Sequence, residues 1–67
     1  MTIGKIIKKK RTALDLSQRE LAQRSGVSVA MINYIENEQR SPTAASLVKL
    51  AKALHCSVGE LFGEKAS

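Results

Sequence analysis

The chain has 67 residues and a formal net charge of +5, from 11 Lys and Arg against 6 Asp and Glu. A chain this short builds one small core and leaves no room for a two-lobed catalytic cleft, while its basic balance favours an acidic partner, nucleic acid before an anionic membrane surface. One Cys and one His exclude a disulfide framework and a Cys/His zinc site, and no apolar run of about 18 residues is present to span a membrane.

Apolar residues make up 43% of the chain, yet no window alternates with period two, so the expectation is an all-α, compact five-helix bundle forming a single domain over residues 1–67. The first helix is expected from about Thr2 to Leu14, with Thr2 as N-cap and Ile3, Ile7 and Leu14 on the inner face. Ser17-Gln-Arg-Glu20 reads as a capping box that opens a second helix over about residues 18–25, and Gly26 suits a left-handed stop. Ser28 caps a third helix over about residues 28–36, with Ile32 and Ile35 inward and Asn37 near its end. Pro42 and Thr43 announce a fourth helix that carries Leu47, Leu50, Ala51 and Leu54. Ser57-Val-Gly-Glu60 is a second capping box, opening a short fifth helix with Leu61 and Phe62. The last residues, from Glu64 to Ser67, read as a frayed tail.

Helices two and three are joined by a turn of about four residues holding Gly26, which is the layout of a helix-turn-helix. Ala22 is small where two helices must cross closely, Gly26 adopts a positive φ without Cβ strain, and Leu21, Val27, Ile32 and Ile35 form the apolar wedge between the helices. Short helix pairs occur in many bundles, so this layout by itself leaves DNA binding open.

Three spaced blocks narrow the reading. The run Leu16-Ser-Gln-Arg-Glu-Leu-Ala-Gln-Arg-Ser-Gly-Val-Ser28, the run Ile32-Asn-Tyr-Ile-Glu36-Asn37, and the segment from Ser41-Pro-Thr43 through Leu54 to Val58-Gly-Glu-Leu-Phe62 together resemble the Cro/repressor-type (Xre-like) helix-turn-helix family. The resemblance covers about Ile3 to Phe62. It implies a lambda-repressor-like DNA-binding domain that acts as a homodimer on a near-palindromic operator in double-stranded DNA, most often as a transcriptional repressor. Members include phage repressors, restriction–modification controllers and antitoxins. The sequence departs from the family pattern at Asp15 and Glu38, which stand where Gly is usual, at Lys10, which stands at an apolar position, and at Ala44, which is smaller than usual. Asp15 tolerates the left-handed region, and Asn37 is expected to take the turn in place of Glu38.

In such a domain the third helix lies in the major groove and its N-terminal part meets base edges. The residues that the resemblance carries there are Ser28, Val29, Ala30, Asn33 and Tyr34. Val29 and Ala30 suit a thymine methyl, and Asn33 suits the N6 and N7 of adenine. The alternative for each is a solvent-facing helix residue with no ligand. Gln18, Arg19, Asn37 and Arg40 are the expected phosphate contacts; Gln18 gains from the free N–H groups at a helix start. Lys5, Lys8, Lys9, Lys10 and Arg11 give the first eleven residues a side-chain charge of +5, suited to long-range attraction. The resemblance pairs Arg11 with Glu36 in a structural ion pair linking the first helix to the third. Leu54, Val58, Leu61 and Phe62 are the candidates for the dimer interface, one or two of them facing the partner.

Other functions compete. An antitoxin-type module whose main partner is a toxin protein shares the same motifs. A membrane-surface helix over Met1 to Leu14 has the lysines but no aromatic anchor. His55 and Cys56 are adjacent, which fits a helix-end His and a half-buried small residue better than a metal or redox site. No Gly-rich phosphate loop, no nucleophile–His arrangement and no cofactor motif is found, so catalysis and cofactors are not expected. The lysines near the start have no apolar stretch behind them, so no secretory signal is read and a cytoplasmic setting is expected.

Overall fold

The computed structural model describes residues 2–63; the expected tail from Glu64 to Ser67 lies outside them. Five helices follow in order: α1 (Ile3–Ala13), α2 (Gln18–Ser25), α3 (Val29–Glu36), α4 (Ala44–Ala53) and α5 (Val58–Leu61). Each starts where a side-chain oxygen satisfies a free backbone N–H. Thr2, Ser17, Ser28, Thr43 and Ser57 are the five N-caps, and Ser17–Glu20 and Ser57–Glu60 form complete capping boxes.

The helix ends depart more from expectation. Helices α2 and α5 stop on left-handed glycines, Gly26 at φ 76 and Gly63 at φ 85. Helices α1, α3 and α4 end on Asp15, Glu38 and His55, all left-handed non-glycine residues at φ 56, 61 and 57. At α3 the expectation is corrected: Asn37 stays right-handed at φ −88, and Glu38 makes the turn. The reason is hydrogen bonding. With Glu38 left-handed, its N–H reaches the Ile35 carbonyl at 3.0 Å and the Gln39 N–H reaches the Tyr34 carbonyl at 2.8 Å, so both otherwise free acceptors are satisfied. The same pair of bonds closes α1, from Asp15 to Thr12 and from Leu16 to Arg11, at 3.0 Å each.

Ile7, Leu21, Ile32, Ile35, Leu50 and Leu61 are fully buried and join all five helices into one core. Each such side chain contributes about 1.5–3 kcal/mol by leaving water. Helix α3 lies against α1 and α2, α4 against α2 and α5, and α5 closes back onto α1. The inner face of α1 is therefore Gly4, Ile7 and Arg11, with Ile6 buried beside it. Leu14, expected inside, is 43% exposed: the helix ends there and the chain turns, so its side chain falls beyond the core. Leu16 is buried instead.

Gly4 marks the closest crossing. A Cβ built there would fall on the carbonyl oxygen of Ile35 and lie 3.1 Å from its carbonyl carbon. Only the absence of a side chain lets the start of α1 touch the end of α3. Gly4 carries no motif of its own in the sequence, although its spacing of three and seven residues from Ile7 and Arg11 puts it on their helical face.

Candidate nucleic-acid interface

Helix α3 owes its exposed face to its length. In eight residues only Ile32, Ile35 and Glu36 are buried, which is one narrow stripe. Ser28, Val29, Ala30, Asn33 and Tyr34 all face solvent, Val29 and Tyr34 each at 40% exposure. All five candidates for base contact thus lie on an accessible surface. An exposed apolar tip of Val29 and Ala30 is unfavourable in water, and a donor–acceptor side chain, Asn33, stands one turn further on.

The helix is held by charge from beneath. Arg11 donates from Nε to Glu36 Oε2 at 2.7 Å and from Nη2 to Glu36 Oε1 at 2.9 Å, while its Nη1 donates to the Leu16 carbonyl at 2.7 Å. Both residues are buried, at 9% and 7% exposure. The hydrogen bonds to Glu36 hold the guanidinium above its ordinary range, although burial opposes this, so Arg11 stays charged at every accessible pH. Two parallel N–H···O bonds restrict both distance and plane, so α3 is fixed to α1 in rotation as well as position.

The carboxylate of Glu36 also serves α2. Gln18 Nε2 donates to Glu36 Oε1 at 3.1 Å, Asn33 Nδ2 donates to Gln18 Oε1 at 3.3 Å, and Asn37 Nδ2 donates to Asn33 Oδ1 at 3.1 Å. Gln18, an expected phosphate contact, is therefore partly occupied inside the protein; one amide hydrogen and its backbone N–H remain. This chain of amides was not foreseen. Its readable signal was the pair Asn33 and Asn37, four residues apart on one helix.

The other expected phosphate contacts, Arg19, Asn37 and Arg40, are exposed. The guanidinium of Arg40 lies over the ring of Tyr34, 5.0 Å from its centre. That places a cation beside a candidate base-reading side chain and limits its freedom. The N-terminal basic cluster is smaller in effect than its residue count. Lys10 pairs with Glu60 at 3.3 Å and Arg11 with Glu36, leaving Lys5, Lys8 and Lys9 as exposed ammonium groups without an ion-pair partner among the described residues.

Of the four residues considered for a dimer interface, Leu54 and Leu61 are corrected to the chain's own core, at 4% and 0% exposure. Leu54 closes α4 against the core and Leu61 fills the space where α5 meets α1. Val58 is half-buried and Phe62 is 59% exposed. His55 is exposed in its left-handed turn, and burial pushes the Cys56 thiol up. Among the described residues no helix is long and apolar enough to cross a membrane.

The arrangement is a rigid, exposed short helix with one donor–acceptor amide, two small apolar groups and flanking cations, set in a fold that known proteins share. A family model described as helix-turn-helix matches residues 7–61. An uncharacterised helix-turn-helix-type transcriptional regulator of Mycobacterium tuberculosis is 40% identical over 59 residues, 88% of this chain and 42% of that protein. The chain thus spans less than half the length of that relative. The P22 c2 repressor, solved in complex with a synthetic operator, superposes with a TM-score of 0.87 at 32% identity, covering 92% of this chain and 94% of that one. The restriction–modification controller protein C.AhdI from Aeromonas hydrophila gives a TM-score of 0.86 at 37% identity, covering 90% and 91%.

Proposed function

Because the chain belongs to the helix-turn-helix family, we propose that it binds double-stranded DNA with sequence specificity, as a homodimer, and acts as a transcriptional repressor. The observation that carries this reading is the agreement, over nearly the full length of both chains, with a repressor solved on its operator. Helix α3 enters the major groove. Val29 and Ala30 contact thymine methyl groups, and Asn33 and Tyr34 meet base edges. Ser28, as N-cap, presents the start of the helix. Gln18, Arg19, Asn37 and Arg40 bind phosphates on either side of the groove and set the register. Lys5, Lys8 and Lys9 add attraction at a distance and speed encounter. The role is one of binding rather than catalysis, and a cytoplasmic setting goes with it.

A single short helix reads too few base pairs for useful discrimination. Two copies related by a two-fold axis read two half-sites about 34 Å apart, one turn of DNA. The body measures 32 × 23 × 20 Å, so two copies side by side suit that spacing. Val58 and Phe62 are the apolar side chains at the α5 end available for such a seam.

Selection of bound duplexes from a random library, with excess competitor at about 150 mM salt, tests the reading. Enrichment of an inverted repeat with half-sites one turn apart supports it. Weak binding that shows no sequence enrichment and vanishes with added salt overturns it.

A further inference from the structure

The amide chain running from Glu36 to Asn37 has a direction, and that direction bears on which base Asn33 reads. A carboxylate accepts hydrogen bonds and donates none. Glu36, already gripped by Arg11, therefore requires Gln18 to present its NH2 group, as the 3.1 Å contact from Nε2 to Oε1 has it. With its NH2 group turned to Glu36, Gln18 turns its oxygen to Asn33, which donates to it from Nδ2 at 3.3 Å. The oxygen of Asn33 is left facing Asn37, which donates to it at 3.1 Å. Every amide downstream of Glu36 is oriented by its charge. Without that charge each carboxamide is free to rotate and exchange its oxygen and nitrogen.

We infer that the buried Arg11–Glu36 pair, acting through Gln18, fixes the orientation of the Asn33 carboxamide and so makes Asn33 select adenine. This inference rests on the DNA-binding reading. A carboxamide has two N–H donors and two oxygen lone pairs, and the chain consumes one of each. What remains is one donor and one acceptor, the complement of adenine N7 and N6. Guanine presents two acceptors in the same place, O6 and N7, and sets its O6 against the fixed Oδ1. An Asn33 free to turn over would offer guanine its NH2 group. Gln18 and Glu36 are thus positioning residues for specificity, and Asn33 is the one that touches the base.

The test starts from the selected operator and the full chain. Substituting each base pair in turn, and comparing wild type with Asn33→Ala, identifies the position that Asn33 reads as the one whose preference collapses. The expected base there is adenine, favoured over guanine by about tenfold, with 7-deazaadenine losing most of the advantage because it lacks N7. Gln18→Met keeps the helix but breaks the chain. It lowers affinity for every sequence by loss of a phosphate contact, and in addition brings the adenine-to-guanine ratio at that one position close to one. The ratio is the deciding readout, because a loss of folding or of phosphate binding lowers affinity at all positions alike. Thermal unfolding of both variants checks that they remain folded. A ratio unchanged in Gln18→Met, or a base other than adenine at the Asn33 position, overturns the inference while leaving sequence-specific binding intact. Failure to select any operator overturns both.

Discussion

Arg11 and Glu36 lie 25 residues apart in sequence and meet in a two-pronged ion pair, with Nε to Oε2 at 2.7 Å and Nη2 to Oε1 at 2.9 Å. The pair is buried, and its third N–H group ties the Leu16 carbonyl at the end of α1. A charged pair taken out of water adds little net stability over an apolar pair, but it defines a geometry. Here the geometry concerns the one helix whose outer face carries all five candidate base contacts.

Removing one partner leaves the other charge buried alone. Arg11→Met is expected to lower stability by about 3–5 kcal/mol, a large share of the about 5–15 kcal/mol that holds a small domain folded. Arg11→Met combined with Glu36→Leu is expected to recover most of that loss, yet not the DNA affinity, since Gln18 and α3 are no longer held. Urea unfolding and operator binding of the single and double variants check this. A double variant no more stable than the single one would contradict it.

Gly4→Ala sets helix propensity against space. Alanine favours a helix interior by about 1 kcal/mol over glycine, but the new Cβ falls on the Ile35 carbonyl oxygen. Neither backbone can yield without shifting α1 from α3, so the expected net effect is a loss of about 1–3 kcal/mol. Operator affinity is expected to fall further than the unfolded fraction explains, because α3 moves. Chemical denaturation and DNA titration of the same samples separate the two effects.

Glu38→Gly is expected to stabilise the chain. Glu38 sits at φ 61, where a side chain costs roughly 1–2 kcal/mol and glycine forfeits part of the gain through its freer unfolded state. A net gain of about 1 kcal/mol raises Tm by roughly 4–8 °C in a domain of this size. Asp15→Gly is expected to gain less, since a short polar side chain tolerates the left-handed region better. Thermal unfolding followed by circular dichroism ranks the two.

The capping boxes predict acid sensitivity. The backbone N–H of Ser17 holds the Glu20 carboxyl below its ordinary value of 4.5. That of Ser57, assisted by Lys10, does the same for Glu60. A carboxyl lowered in the folded state contributes stability that is complete above 4.5 and is lost as the pH falls through the lowered values. Gln at both positions keeps the hydrogen bond from the serine N–H but does not titrate. The drop in Tm from about pH 6 to about pH 3 is therefore expected to be smaller in the Glu20→Gln, Glu60→Gln variant than in wild type. Equal drops would count against it.

Much of this protein is legible one segment at a time. Thr2, Ser17, Ser28, Thr43 and Ser57 announce five helix starts because capping is a bond between a side chain and the backbone two or three residues on. The helix-turn-helix is legible for the same reason, since Leu21, Ala22, Gly26, Val27 and Ile32 lie within twelve positions of each other. The outward set on α3 follows from its period once Ile32 and Ile35 are taken as inward.

Tertiary structure decided the rest. Whether Leu54, Leu61 and Phe62 face inward or outward depends on where α5 meets α1, and no local pattern states that contact; Leu14 was misjudged because a helical period does not say where the helix stops. Gly4 acquires its meaning only from the Ile35 carbonyl, 31 positions away. The chain from Arg11 through Glu36 and Gln18 to Asn33 joins three helices. Capping and periodicity are local, so sequence alone determined where the helices start and which stripe of α3 turns inward. Packing is non-local, so only the assembled fold determined how rigidly α3 is held and which way the Asn33 amide points.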